Sequence, residues 1–347
     1  ENHRPDHFSK TWFHSMPIDD ISTTPVIVGD VIVLPILNDG GLLALKVSNG
    51  EIAWKLNNIG IDRNTKLMFN YPYLYVYSQK IVQRIMMGLD TITTEIIYSA
   101  PDFHTDHPTF SLSNGKIIYF PVIEGLFIHN IFRKSGSLIQ FNIEGNESLF
   151  PIKAGKEIFA FSQKGKIYKL IADKIELYHS ITDFDIISPP VSPANSNWIY
   201  FEGYKDGKRM INAWRHETNT IISSHIPDEF CSIEDIHFHY PPLLYKDGVL
   251  IISSQEPVIY YATCIGVNLD LKEIQIDITK GIKKVMNIEF LFSLIIDTFF
   301  ISRISDGFFY MNLNEKTQND IEFFSSELMS RPLSFNNRLL LICKDGV

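Results

Sequence analysis

Cysteine is scarce in this chain. Cys231, Cys264 and Cys343 are the only three among 347 residues, and they stand far apart. An odd, dispersed set builds no disulfide framework, and without a Cys-x-x-Cys pair the usual zinc and redox motifs are excluded. The three read as small buried hydrophobes. Long apolar runs are missing as well: the longest, such as Glu289–Ile296 and Thr298–Ile301, fall far short of the roughly 20 residues that cross a bilayer as a helix. A soluble chain with no membrane span is therefore expected. Lysine and arginine form no run or stripe, and the net charge is −9, so phosphate neutralisation has no footing and nucleic acid is not an expected partner. No Gly-x-Ser-x-Gly elbow and no glycine-rich phosphate loop occurs. Helical periodicity is absent too, since apolar residues come in blocks or alternate.

What is present is core-forming material, 45% hydrophobic and 13% aromatic, in a recurrent pattern. Pro25-Val-Ile-Val-Gly-Asp leads into Val31-Ile-Val-Leu, and Pro108, Pro190, Pro242 and Pro332 each open a similar unit. Every unit is a short apolar strand, a Gly/Asn/Asp turn and a second apolar strand, the signature of a hairpin. Lys66–Tyr77, Leu149–Phe161 and Glu289–Ser302 repeat the plan without the proline. The second strands then start near Val31, Tyr73, Lys116, Glu157, Trp198, Val249, Thr298 and Arg338, at spacings of 42, 43, 41, 41, 51, 49 and 40.

Repeats of this length, all strand and turn, predict an all-β chain: a single β-propeller of four-stranded blades, eight in number with seven as the alternative. The blades fall near 22–57, 65–99, 107–143, 149–180, 187–226, 240–279, 289–325 and 331–347, in one domain over 1–347. Residues 1–17 hold a closing strand: Lys10–Ser15, with Trp12, reads as an orphan outer strand that joins the C-terminal strands to complete the last blade. The longer units place extra residues around Asp228–Phe238, Glu256–Tyr261 and Lys280–Met286, in connecting loops of the kind that carry function.

The first unit reads Gly41-Leu-Leu-Ala44-Leu45-Lys-Val-Ser-Asn-Gly50-Glu-Ile-Ala-Trp54. With Pro25 ahead of it, this resembles the repeat of the pyrroloquinoline-quinone (PQQ) type, quinoprotein-like propellers. Ala44 leaves room between blades, Gly50 supplies a tight turn and Trp54 covers the flank of the next blade. The resemblance is to the non-enzymatic members of that superfamily, such as the bacterial outer-membrane assembly lipoprotein. It implies no bound PQQ, because the adjacent cysteines of the quinoprotein dehydrogenases are absent.

Two connectors combine imidazole with carboxylate: Asp102, His104, Asp106 and His107 before the third unit, and Asp235, His237 and His239 before the sixth. Histidine and carboxylate suit a divalent metal, and His237 and His239 alternate around Phe238 so that they share a side of an extended chain. The competing reading is that loop-end histidines satisfy backbone groups, since no ligand spacing is fixed. Tyr71, Tyr73, Tyr75 and Tyr77 alternate along one strand, as a sugar-stacking ladder or as packing between blades. Trp198 and Trp214 read as packing.

The expected function is a non-enzymatic scaffold that presents a propeller face to a protein partner, as a monomer. The alternative is a carbohydrate-binding or carbohydrate-active propeller using the His/carboxylate loops. The start at Glu1 without methionine is compatible with a removed signal peptide. An extracytoplasmic location (periplasmic, lipid-anchored or secreted) is favoured, and the unpaired cysteines keep a cytoplasmic one open.

Overall fold

A computed structural model describes residues 25–37, 39–62, 65–87, 91–100, 111–140, 149–171, 174–194, 196–227, 242–252, 258–266, 268–275, 289–296, 299–304, 307–314, 317–323, 333–335 and 338–341. Among the described residues there is no helix. The strands form seven four-stranded sheets, at 26–56, 66–99, 112–140, 149–180, 185–225, 243–275 and 289–323, and a two-stranded hairpin at 333–340. Each sheet is an antiparallel meander in which every strand pairs with its neighbours in sequence. Such local pairing needs only short turns, which the Gly/Asn/Asp clusters supply.

The strand Tyr73–Tyr77 shows why these residues form this architecture. It is buried along its whole length. Its tyrosines pack forward with Ile118, Phe120 and Phe127 of the third sheet. Leu74 and Val76 pack backward with Val33 and Ala44 of the first. A period-two strand thus covers two neighbours at once, so that the alternation is between two kinds of apolar residue rather than apolar and polar. The same holds further on, where Phe161 and Phe201 join the fourth sheet to the fifth, and Tyr200 and Val249 join the fifth to the sixth. Each fully buried aliphatic or aromatic side chain contributes about 1.5–3 kcal/mol to this seam-by-seam core. The last hairpin packs on the first sheet, with Leu340 in one cluster with Ile32, Leu34 and Leu45.

The first-unit motif behaves as its chemistry requires. Ala44 is fully buried and pairs with Val33 on one side and Trp54 on the other. Trp54 packs half-buried in the seam with the second sheet. Gly50 turns at φ 74°, and a Cβ on Gly41 would lie 2.1 Å from the Leu56 carbonyl oxygen, so both positions require glycine. Pro25 is buried immediately before the first strand, Val26–Val28.

Two expectations are corrected. The first strand of the fifth sheet does not follow Pro190; it is Asp185–Ile186, paired with Tyr204 and Gly203, while Val191 makes a single bridge to Tyr200. The two prolines at 189 and 190 remove backbone donors and split the inner strand there. Val258–Tyr261 is not part of an insertion either, because it opens the long strand Val258–Ile265, whose Tyr260 packs in the core. Residues 228–238, 280–286, the segment Lys10–Ser15 and the chain beyond residue 341 lie outside the described residues.

Candidate functional site

The seven His/carboxylate candidates, Asp102, His104, Asp106, His107, Asp235, His237 and His239, lie outside the described residues. Among the described residues no group of three His, Cys, Asp or Glu side chains sits together. The tyrosine series resolves into two roles. Tyr73, Tyr75 and Tyr77 are buried, whereas Tyr71, in the turn before them, is 81% exposed. They form a seam rather than a sugar-stacking ladder. Trp214 is fully buried against Phe159 and Phe161, and Trp198 is buried as well, so both tryptophans are packing. Cys264 is half-buried, and burial pushes its thiol up to about 11, which makes it a poor nucleophile.

The polar chemistry of the described chain gathers instead in the seam between the second and third sheets. Tyr75, Arg84 and Glu95 are directly paired residues on three adjacent strands of the second sheet. Arg84 shares a strand face with Val82, which packs toward the third sheet. Its guanidinium lies 4.7 Å from the centre of the Tyr73 ring and bonds to the Glu95 carboxylate through Nη2. From the third sheet, His129 brings its ring edge-on to Tyr75 at 5.7 Å and stacks on Phe127 at 6.4 Å.

These side chains are deeply buried, with Tyr75 at 0%, His129 at 1% and Arg84 at 7% exposure. Yet the Tyr75 hydroxyl and Arg84 Nη1 have no hydrogen-bond partner among the described residues, and the ring nitrogens of His129 make no well-formed bond, although the Ser135 backbone is close enough to favour the protonated ring. A buried polar group left unpaired costs about 1–3 kcal/mol, so such atoms gathered in one seam stand out against ordinary satisfied cores. Burial raises the Tyr75 phenol, with the Arg84 charge acting the other way. Burial and the Arg84 charge together hold His129 below its usual value, with Glu95 and the Ser135 backbone acting the other way, so the fold favours the uncharged ring. Chemically the seam offers several N–H and O–H donors beside one fixed cation.

A second set of exposed groups sits at the turns. In an antiparallel meander the turns between first and second strands, and between third and fourth, lie at the same end. Tyr71 occupies the first such turn of the second sheet, and Phe132, 72% exposed, the second such turn of the third. Exposed Lys116, Arg133 and Lys134 occupy the turns at the same end of the third sheet. The inner strands of the two sheets are tied by the bond from Asn70 to Ser113. Ile265, 62% exposed, ends the third strand of the sixth sheet at the corresponding edge.

Sequence reasoning had noted Tyr75 within the tyrosine series but missed Arg84 and His129. A charged residue in the middle of Ile81–Met87, otherwise apolar on that side, was the available signal.

Successive four-stranded meanders that pack face to face, with the last hairpin against the first sheet, define a β-propeller. Solved structures share this fold. The Dos1 propeller matches at TM-score 0.61 with 11% identity, over 96% of this chain and 92% of that one. BamB from Moraxella catarrhalis matches at TM-score 0.57 with 13% identity, over 96% and 98%. AztD from Citrobacter koseri, in its apo form, matches at TM-score 0.54 with 8% identity, over 88% and 87%. The propeller expected from the sequence repeat thus holds in the fold, which these structures share with the chain. No protein-family model and no curated protein sequence matches the chain.

Proposed function

We propose that this chain is a non-enzymatic binding scaffold, a monomer working outside the cytoplasm, that presents one propeller face to a protein partner. The observation that carries the reading is the pair of bare aromatic side chains at one end of adjacent sheets, Tyr71 at 81% and Phe132 at 72% exposure. Exposed rings on short turns are expensive to leave in water and are the usual anchors of protein interfaces. The cations beside them, Lys116, Arg133 and Lys134, fit a partner surface that mixes apolar and acidic groups. The fold shared with other propellers supports a scaffold role as analogy only.

The propeller has eight blades in this proposal. The hairpin 333–340 and the segment Lys10–Ser15 make up the last one, in line with the packing of Leu340 on the first sheet.

The test is capture from an extract of the source organism with the wild-type chain and with a Tyr71→Ser/Phe132→Ser variant. The expected result is one protein retained in stoichiometric amount by the wild type and lost by the variant at unchanged melting temperature. Equal capture by both would overturn the assignment of this face.

A further inference from the structure

The geometry points to a buried binding site for a small monovalent anion of halide size in the seam between the second and third sheets, held by Tyr75, Arg84 and His129. Tyr75 and Arg84 face each other across adjacent strands, and His129 meets the Tyr75 ring from the opposing sheet at 5.7 Å. Tyr75 and Arg84 each contribute a polar atom with no hydrogen-bond partner among the described residues.

The balance of donors and acceptors decides the ligand class. Arg84 Nη1 carries two hydrogens and the Tyr75 hydroxyl one, while the His129 ring has the Ser135 backbone beside it. A water molecule beside these donors brings two hydrogens of its own, which need acceptors, and no charge to set against the guanidinium. An anion only accepts, and takes donors from several directions at once. Charge favours it too: Arg84 is almost fully enclosed, while its partner Glu95 keeps 59% of its side chain in solvent, where its field is screened. The fixed positive charge is thereby left under-compensated on the buried side. Size is limited by the aromatic wall, with Tyr73 under the guanidinium and Phe127 against His129. A Cβ on Gly136 would come within 2.3 Å of the Phe127 ring, so that wall has no slack. A large oxyanion or organic carboxylate does not suit such an enclosure.

The experiment is thermal unfolding of the purified full chain in sodium chloride against sodium gluconate at matched ionic strength, with wild type and Tyr75→Phe. The variant keeps the ring and its packing and removes one donor. The expected result is a melting temperature that rises saturably with chloride in the wild type, with a half-saturating concentration about tenfold higher in Tyr75→Phe, as the loss of one hydrogen bond of about 1.4 kcal/mol gives. A crystal grown in sodium bromide should then show an anomalous peak between Tyr75, Arg84 and His129. The proposal is overturned if chloride and gluconate act alike on the wild type, or if the chloride response is the same in Tyr75→Phe. Either result would mean that the seam holds water alone.

Discussion

Two buried arginines divide the molecule into a finished seam and an unfinished one. Arg209 lies between the fifth and sixth sheets, on the side of its strand that carries Ile211 and Ala213 into that core. It gives both Nε, at 2.8 Å, and Nη2, at 2.5 Å, to one oxygen of Glu202. Both partners are out of solvent, at 3% and 4% side-chain exposure, and Ser188 accepts from the Glu202 backbone. Arg84, between the second and third sheets, has the same depth but an exposed partner, at 8% against 59%, and an orphan nitrogen. A buried charge with a buried, geometrically matched partner is structural. One whose partner sits in water leaves chemistry available, and that contrast singles out the second–third seam.

The contrast predicts unequal losses on deleting each charge. Arg209→Met strands the Glu202 carboxylate without a cation in a dry seam, and should cost about 3–5 kcal/mol in urea unfolding. Arg84→Met leaves Glu95 mostly hydrated and removes only a half-exposed ion pair and a ring contact, so the expected cost is about 1–2 kcal/mol. Replacing both members of the first pair, as Glu202→Leu/Arg209→Met, should recover most of the loss. Equal costs for the two single variants would show that the seams do not differ in kind.

A smaller effect separates the two tyrosines at these seams. Both Tyr200 and Tyr75 are fully buried, but the Tyr200 oxygen accepts from the Cys264 backbone amide at 3.1 Å, whereas the Tyr75 hydroxyl has no partner among the described residues. Tyr200→Phe should therefore cost about 1 kcal/mol, while Tyr75→Phe in a chloride-free buffer should be neutral or slightly stabilising. Unfolding midpoints of the two variants at matched slope give the answer. A clear destabilisation by Tyr75→Phe under those conditions would mean that its hydroxyl is already satisfied.

The architecture was legible because it is written in local pattern. Proline before the strand, a turn residue between strands and a spacing near 41 residues placed the second strands within a residue of where they start, as at Val31, Tyr73, Glu157 and Arg338. Where local signals conflict, the reading slipped: Pro190 pointed to an inner strand that its own ring chemistry prevents, and the chain pairs at Asp185–Ile186 instead. The seam site was not legible in the same way. Tyr75 and Arg84 become partners only once the hairpin register is known, and His129 arrives from another sheet, 45 residues beyond Arg84. Register converts spacing into contact, and a one-residue slip would put Arg84 on the opposite face.

The smallest effect is a pH slope tied to the second–third seam. That seam holds His129, kept below its ordinary 6.5 by burial and the Arg84 charge, with Glu95 and the Ser135 backbone opposing. The unfolded chain therefore takes up this proton first as pH falls. Its contribution to stability is complete above about 6.5 and declines as pH drops through the lower folded value. Melting temperatures of wild type and His129→Phe between about pH 7.5 and about pH 5 isolate this slope, since other groups titrate equally in both. The wild type should lose more stability toward acid than the variant does. Parallel curves would mean that His129 is as easily protonated in the fold as outside it, which requires a counter-charge already in the seam even without chloride.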